Sequence, residues 1–433
     1  MKMQKIIIIC PSMWPKMSMW GETQRMFYLA NYLAGQGYEI IVISPAYETN
    51  RKISDAREQR YRNIYLGTIK RTGKPGQAVT TLTRDGILRK IKRQISGMAN
   101  RYGEWFYGEQ DITEVHKKSR WVRKYRDKIC QIIKEERADT VIISMPGFTF
   151  MKLGPIIRNA CVNVKLIYDY RDPWHLWRYK KNPAYYREKL YLGYADCIVG
   201  FSEMFRTDMI QTMKLDPNKI YTVYNGYSEL AWQKFEKTQK TVSDNSRSVP
   251  DHKMIMTYTG NMSLANKKSN YRNPANLIAV IKEIPDIELY LVGVSKVEKG
   301  VDEKNIHFIG EVTQQQSFLY MSQSDVLISI HDTSDRSGEY LISGKFYDYM
   351  RSGKTILHIG SDNGLMAEFV NKYGLGVVCE NQTEKLRGKI NALMEKWKAG
   401  RLIRITDDEQ NIKQFERDTQ NEMYKQIIDN VHK

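Results

Sequence analysis

Residues 1–44 read MKMQKIIIICPSMWPKMSMWGETQRMFYLANYLAGQGYEIIVIS, and this stretch decides the fold. Ile6–Cys10 is a short, wholly apolar run, the signature of a strand buried on both faces. A loop through Pro11, Trp14, Pro15 and Gly21 follows. A helix then opens near Thr23, carries Met26, Phe27, Leu29, Ala30 and Leu33 on one face, and ends at Gly35–Gly37. Glu39–Ser44 is a second apolar strand. Strand, helix, strand at this spacing is a βαβ unit, and it predicts a parallel sheet.

Apolar strands recur at Thr140–Ser144, Lys165–Asp169, Asp196–Gly200 and Ile220–Tyr224, separated by helical segments. Between Glu229 and Lys253 the chain turns polar around TQKTVSDNSRSVPDHK (238–253), which reads as a linker. A second alternation follows, with strands expected at Met254–Thr259, Glu288–Val292, His307–Ile309, Asp325–Ile330, Thr355–Ile359 and Val377–Cys379. A final helix is expected over Glu409–Val431. The sequence thus predicts two doubly wound α/β domains: 1–228, a linker at 229–253, then 254–405, with a last helix over 406–433. Ligands of such sheets bind at the carboxyl ends of the strands. The 433-residue length agrees with two cores of about 150–220 residues each.

No apolar run approaches the roughly 18–20 residues of a membrane-spanning helix, and the N-terminal apolar block is too short for a signal segment. A cytoplasmic protein is expected. Cys10, Cys130, Cys161, Cys197 and Cys379 are scattered singly, against a disulfide framework or a zinc site. The formal charge of +18 calls for an anionic partner: nucleic acid, a membrane surface or small anionic substrates. No helix-turn-helix, zinc-finger or RNP-like pattern is present, which disfavours nucleic acid.

Four blocks, in order, resemble glycosyltransferase family 4. They are CPSMWPKMSMWGETQR (10–25); LIYDYRDPW (166–174) with FSEMFRTDMI (201–210) and IYTVYNGYS (220–228); MTYTGNMS (256–263) with IELYLVG (287–293) and IHFIGEV (306–312); and SGKFYDYMRSGKTIL (343–357). The last is similar to the family's K-x-x-E-Y-x-x-x-G-K-P-V-L pattern. Residues 47–139 have no counterpart. The resemblance implies the GT-B fold, with two Rossmann-like domains facing across a cleft and a C-terminal helix crossing back to the first. It also implies sugar transfer from a nucleoside-diphosphate donor, with retention of configuration and without a bound metal or cofactor.

Donor-binding residues are expected first at Gly260 and Asn261, where the backbone can approach a phosphate closely, with Lys267 and Lys268 as neutralising cations. The alternative there is a solvated loop with exposed lysines. Ser343-Gly344-Lys345 starts an amphipathic helix whose free N–H groups and Lys345 suit a diphosphate. Asp348, one turn inside, is placed to accept ribose hydroxyls, or merely to complement the helix dipole. It matches the second acid of the family's E-x7-E signature. Tyr340 occupies the first position, and the nearest carboxylate, Glu339, is offset by one; it reads either as a catalytic-site acid contacting donor sugar hydroxyls through a shifted loop or as an ordinary charged loop residue. Val312, in the Gly310-Glu311-Val312 turn, matches the family's backbone contact to the nucleotide base; the alternative is an ordinary strand-to-helix turn.

On the acceptor side, Asp169, Arg171, Asp172, Trp174 and His175 crowd past a strand end. Asp172 or His175 could orient or deprotonate a hydroxyl, and Trp174 or Trp14 could stack on a sugar face. Gly21 and Arg171 join this group. The competing reading pairs Arg171 with an acid and puts the indole in the core; a D-x-x-D metal site lacks further ligands.

From Gly86 to Tyr107 the apolar residues Ile87, Leu88, Ile91, Ile95, Met98, Tyr102, Trp105 and Phe106 fall on one helical face, beside Arg89, Lys90, Lys92, Arg93 and Arg101. Residues 84–128 hold thirteen Lys/Arg against six Asp/Glu. This basic amphipathic insertion suits peripheral adsorption on an anionic membrane, the inner face of the plasma membrane, or packing on the first domain with a solvated basic face. The expected partners are a nucleotide sugar and a glycan or polyprenyl-diphosphate-linked acceptor. The rivals are a sugar-nucleotide epimerase of the same shape and a non-catalytic partner of an active transferase.

Overall fold

The computed structural model describes residues 4–18, 20–47, 58–69, 98, 102, 106, 112–145, 148–174, 181–241, 253–260, 262, 272–294, 304–331, 340, 342–406 and 411–433. They form two compact units, Met1–Tyr224 together with Asn421–Lys433, and Asn225–Gln420.

In the first unit the strands are β1 (Lys5–Ile9), β2 (Glu39–Tyr47), β3 (Arg62–Ile69), β4 (Thr140–Met145), β5 (Lys165–Tyr170), β6 (Cys197–Gly200) and β7 (Ile220–Thr222). They form one parallel sheet in the order β3-β2-β1-β4-β5-β6-β7. The sheet doubles back at β1, as the opening βαβ unit predicts. Its helices are α1 (Trp20–Gly35), α2 (Ile112–Glu135), α3 (Leu153–Ala160), α4 (Pro183–Leu192) and α5 (Glu203–Met213). Helix α1 begins three residues before the expected Thr23. Strand β3 lies in the unmatched stretch and was not foreseen; it is an edge strand, mostly half-exposed, so it lacks a continuous apolar run.

In the second unit, α6 (Glu229–Thr241) occupies the start of the expected linker. Strands β8 (Met254–Thr259), β9 (Ile287–Val292), β10 (Ile306–Ile309), β11 (Val326–His331), β12 (Thr355–Gly360) and β13 (Gly376–Cys379) form a second parallel sheet, ordered β10-β9-β8-β11-β12-β13. Around it lie α7 (Ala275–Lys282), α8 (Gln314–Ser322), α9 (Gly344–Arg351), α10 (Leu365–Lys372) and α11 (Thr383–Lys398). Strands β8, β9, β11 and β12 are buried along their whole length, which explains their legibility as apolar runs.

The last helix, α12 (Arg417–Val431), starts later than the expected Glu409. A single 3-10 turn, Ile412–Phe415, precedes it, and Glu416 is extended because it bridges to Tyr227. That bridge explains the Asn225-Gly226 turn. A Cβ on Gly226 would stand 2.5 Å from the Phe415 carbonyl oxygen and 3.1 Å from Arg417 N, so only glycine lets these backbones meet. From Asn421 onward α12 belongs to the first unit. Tyr424, Ile427 and Ile428 enter its core beside Phe27 and Leu29, and Tyr32 Oη donates to Glu422 at 2.7 Å. The crossing helix is therefore part of the first hydrophobic core.

Candidate functional site

The carboxyl ends of β8, β9 and β10 are built from glycine turns. Gly260 leaves β8 at φ +113° and Gly293 leaves β9 at φ +86°, conformations that disfavour any side chain. The two turns nest: a Cβ on Gly293 would lie 2.9 Å from the Gly260 oxygen. Gly260 N donates to Val292 O at 2.8 Å and Gly293 N to Ile309 O at 2.8 Å. Beyond β10, half-buried Val312 packs against the cluster of Ile255, Tyr290 and Val292.

Helix α9 supplies the charge. Lys345 Nζ donates to the Thr259 carbonyl at 2.7 Å and sits 3.2 Å from the centroid of the Tyr258 ring. It lies 3.6 Å from where a Cβ of Gly260 would be, so Lys345 and the Gly260 turn form one locus. Burial, with the Arg272 charge second, holds this amine well below the ordinary lysine range. An anion placed there would reverse that penalty. Ser343, at the N-cap, accepts no capping bond and its Oγ has no hydrogen-bond partner, so no side chain at this position covers the helix's first amides. Tyr349 Oη accepts from Thr259 N at 2.9 Å and ties α9 to the end of β8.

One turn along, Asp348 Oδ1 accepts from Trp232 Nε1 at 3.3 Å. Burial pushes its carboxyl up to about 6, while the Arg417 charge and the indole hydrogen bond oppose that rise. Trp232 belongs to α6 and stacks on Phe318 of α8, centroids 4.1 Å apart. Arg351 pins α6 to α9 through Glu229, at 2.5 and 2.7 Å, and Glu236, at 3.0 Å. The sequence contained no sign of Trp232 or Tyr349 as supports of this locus. Tyr340, in the signature position of an acid, is buried, and burial pushes its phenol up to about 12.

In the first unit, Arg171 Nη1 donates to Gly21 O at 2.9 Å and Nε to Asp172 at 3.2 Å, so three expected acceptor-side residues meet. Trp174 is buried. Trp14 is also buried, edge-on to Phe27 and Trp20 with centroids 6.4 Å away in each case. Beneath them Arg25 forms a buried fork on Asp169, with Nε 3.1 Å from both carboxylate oxygens and Nη2 2.8 Å from Oδ1; Nη1 donates to Val223 O at 2.9 Å. Arg25 stands in the first quoted block, yet sequence reading gave it no role. Asn261, Lys267, Lys268, His175 and Glu339 lie outside the described residues.

Most of the expected helix 86–107 also lies outside them. Met98 and Tyr102 are exposed, Tyr102 stacks on Phe106, and the Arg187 guanidinium lies 3.6 Å over the Phe106 ring. Helix α2 buries Val115, Trp121, Val122, Ile129, Ile132 and Ile133 and exposes Arg120, Arg123, Lys124, Arg126 and Lys128. Among the described residues no helix is long and apolar enough to cross a membrane, and no three His, Cys, Asp or Glu side chains are grouped to hold a metal.

No family model and no curated protein sequence matches the chain. Solved structures do. A glycosyltransferase from Rickettsia africae is similar at TM-score 0.63 and 13% identity, covering 100% of both chains. The Anabaena HepE protein in complex with UDP is similar at TM-score 0.58 and 12% identity, covering 99% of this chain and 100% of that one. A UDP-GlcNAc 2-epimerase from Neisseria meningitidis, bound to UDP-GlcNAc, is similar at TM-score 0.55 and 10% identity, covering 98% and 99%. The fold is GT-B: two parallel α/β sheets and a returning C-terminal helix.

Proposed function

We propose that this protein transfers a glycosyl group from a nucleoside-diphosphate sugar to a hydroxyl of a glycan or lipid-linked acceptor. One observation carries the reading: Lys345 is held at the Gly260 turn, at the carboxyl end of β8, with its charge destabilised by burial. A diphosphate at this turn would pair with Lys345, and the first amides of α9 would add the helix dipole. Asp348 would accept ribose hydroxyls, Val312 would hold the base through its backbone, and Asn261, Lys267 and Lys268 would complete the phosphate contacts. Glu339 would reach the donor sugar.

In the reaction the bond from the anomeric carbon to the diphosphate oxygen breaks, and its electron pair leaves with the diphosphate. The acceptor oxygen bonds to the same carbon, and its proton passes to a base, for which Asp172 and His175 are the candidates. Gly21, Arg171, Trp14 and Trp174 would shape the acceptor side. Neutralising the leaving group at Lys345 and α9 needs no metal or cofactor. The cations of 84–128 would bring the enzyme to an anionic membrane bearing the acceptor, consistent with a role in surface polysaccharide assembly.

The likeness to the Neisseria epimerase favours a second reading, sugar-nucleotide epimerisation on the same fold. Incubation with labelled UDP-sugars, with and without a polyprenyl-diphosphate glycan, separates the two. Label appearing in the lipid fraction supports transfer. An epimerised nucleotide sugar without acceptor supports epimerisation, and neither product with any donor overturns both.

A further inference from the structure

The amino ends of β11 and β12 border a second concavity, at the opposite edge of the sheet from the Gly260 turn. In a parallel sheet the two edges are a strand length apart, and six residues of β12 at about 3.3 Å each span roughly 20 Å. A cavity of about 450 Å³ lies there, bordered by Asp325, Ser352, Lys354, Thr355, Trp397 and Arg404. That volume is in the range of small-molecule sites.

Its charge is unbalanced. Neither Lys354 nor Arg404 has a hydrogen bond or ion pair among the described residues, while Asp325 already accepts from Ile255 N at 2.8 Å through Oδ2. Helices α9 and α11 end beside the cavity, and negative helix termini attract cations. Those termini are already satisfied. Ser352 N and Gly353 N donate to Asp348 O and Met350 O, and Ser352 Oγ donates to Tyr349 O. Ala399, Gly400 and Arg401 cap the carbonyls of Glu395, Trp397 and Lys396. The lining thus holds two cations against the single carboxylate of Asp325, and both cationic side chains are available to a ligand. Burial holds the Lys354 amine below its ordinary range, with Arg404 adding to that and Asp325 opposing it.

We infer that this cavity is a binding site for the phosphomonoester of a small sugar. The phosphate would sit between Lys354 and the rim guanidinium of Arg404. The indole of Trp397 would cover an apolar sugar face, and the free oxygen of Asp325 would accept a hydroxyl. The site goes beyond the proposed transfer reaction and does not depend on it.

Ribose 5-phosphate is the probe, titrated into the full chain by calorimetry, with inorganic phosphate and ribose as separate arms. Saturable binding of ribose 5-phosphate is expected, with at least tenfold weaker affinity for phosphate or ribose alone. Lys354→Gln and Arg404→Gln should each weaken it tenfold or more and leave UDP affinity within twofold. Competition with UDP would place the probe at the Gly260 end and overturn the inference, as would equal affinity for inorganic phosphate. A readout on the unaltered protein guards against variants that fail to fold. Acetylation of Lys354 by acetic anhydride, followed by mass spectrometry, should be suppressed by saturating ribose 5-phosphate, and unchanged labelling would overturn the assignment.

Discussion

Trp232 Nε1 donates to Asp348 Oδ1 at 3.3 Å, across 116 residues of chain. The bond favours the ionised carboxylate against the burial that pushes Asp348 up to about 6. The sign is that of a raised acid. The native state holds the proton more tightly than the unfolded chain, so Asp348 adds stability below its unfolded value and loses it as pH rises through about 6. Ligand binding runs the other way, because ribose hydroxyls need the ionised acceptor. UDP-glucose, whose diphosphate stays fully ionised, should bind more tightly as pH climbs from 5 to 7. Trp232→Phe should move that midpoint upward and cost about 0.5–1.5 kcal/mol of affinity at pH 7. A calorimetric pH profile unchanged in the variant would remove Asp348 from the binding locus.

Lys345→Ala should weaken UDP binding by about 1–3 kcal/mol, the scale of a lost charge-assisted hydrogen bond. Asp348→Ala should give a loss of similar size. Fluorescence or calorimetric titration of the folded variants measures it, and unaltered affinity in both contradicts the donor assignment.

The Arg25–Asp169 fork is buried on both sides, 7% and 0% exposed. Removing one partner strands a charge in the core. Asp169→Asn or Arg25→Met should cost roughly 3–5 kcal/mol of stability, read from the urea midpoint. A shift below about 1 kcal/mol would mean that water reaches the fork.

Transfer activity should persist in excess EDTA, because Lys345 and α9 are assigned the leaving-group charge. Loss on chelation and recovery with magnesium or manganese would contradict that assignment.

Flotation with vesicles rich in anionic lipid should carry the protein upward, less so as salt rises. Each Lys or Arg near such a surface contributes on the order of 1 kcal/mol, screened over about a Debye length. Reversing Lys90, Lys92 and Arg93 to glutamate should abolish flotation and spare UDP binding. Indifference of the unaltered protein to these vesicles at low salt would point to a soluble acceptor.

Where burial was two-sided, sequence reading located the elements. Ile6–Ile9 and Val326–His331 could be read as strands because both faces need apolar side chains. Strand β3 escaped because it is an edge strand with one buried residue of eight, and RNIYLGTI carries an apolar run of only three residues, Ile64–Leu66. At the site, Lys345 and Asp348 were visible because one helix displays both. Trp232 was not, since no local periodicity tells a helix which side chain, more than a hundred residues on, will accept from it. The buried fork was hidden for the same reason, its two halves being 144 residues apart.

The returning helix has a consequence for the order of synthesis. Tyr424, Ile427 and Ile428 complete a core otherwise built from residues before Tyr224. Ribosomes add about 5–20 residues per second, so the 196 residues of the second unit take on the order of 10–40 s to emerge. Throughout that interval the emerged part of the first unit lacks the side chains of α12 that its core requires. The nascent chain is therefore expected to be a chaperone client until α12 leaves the exit tunnel.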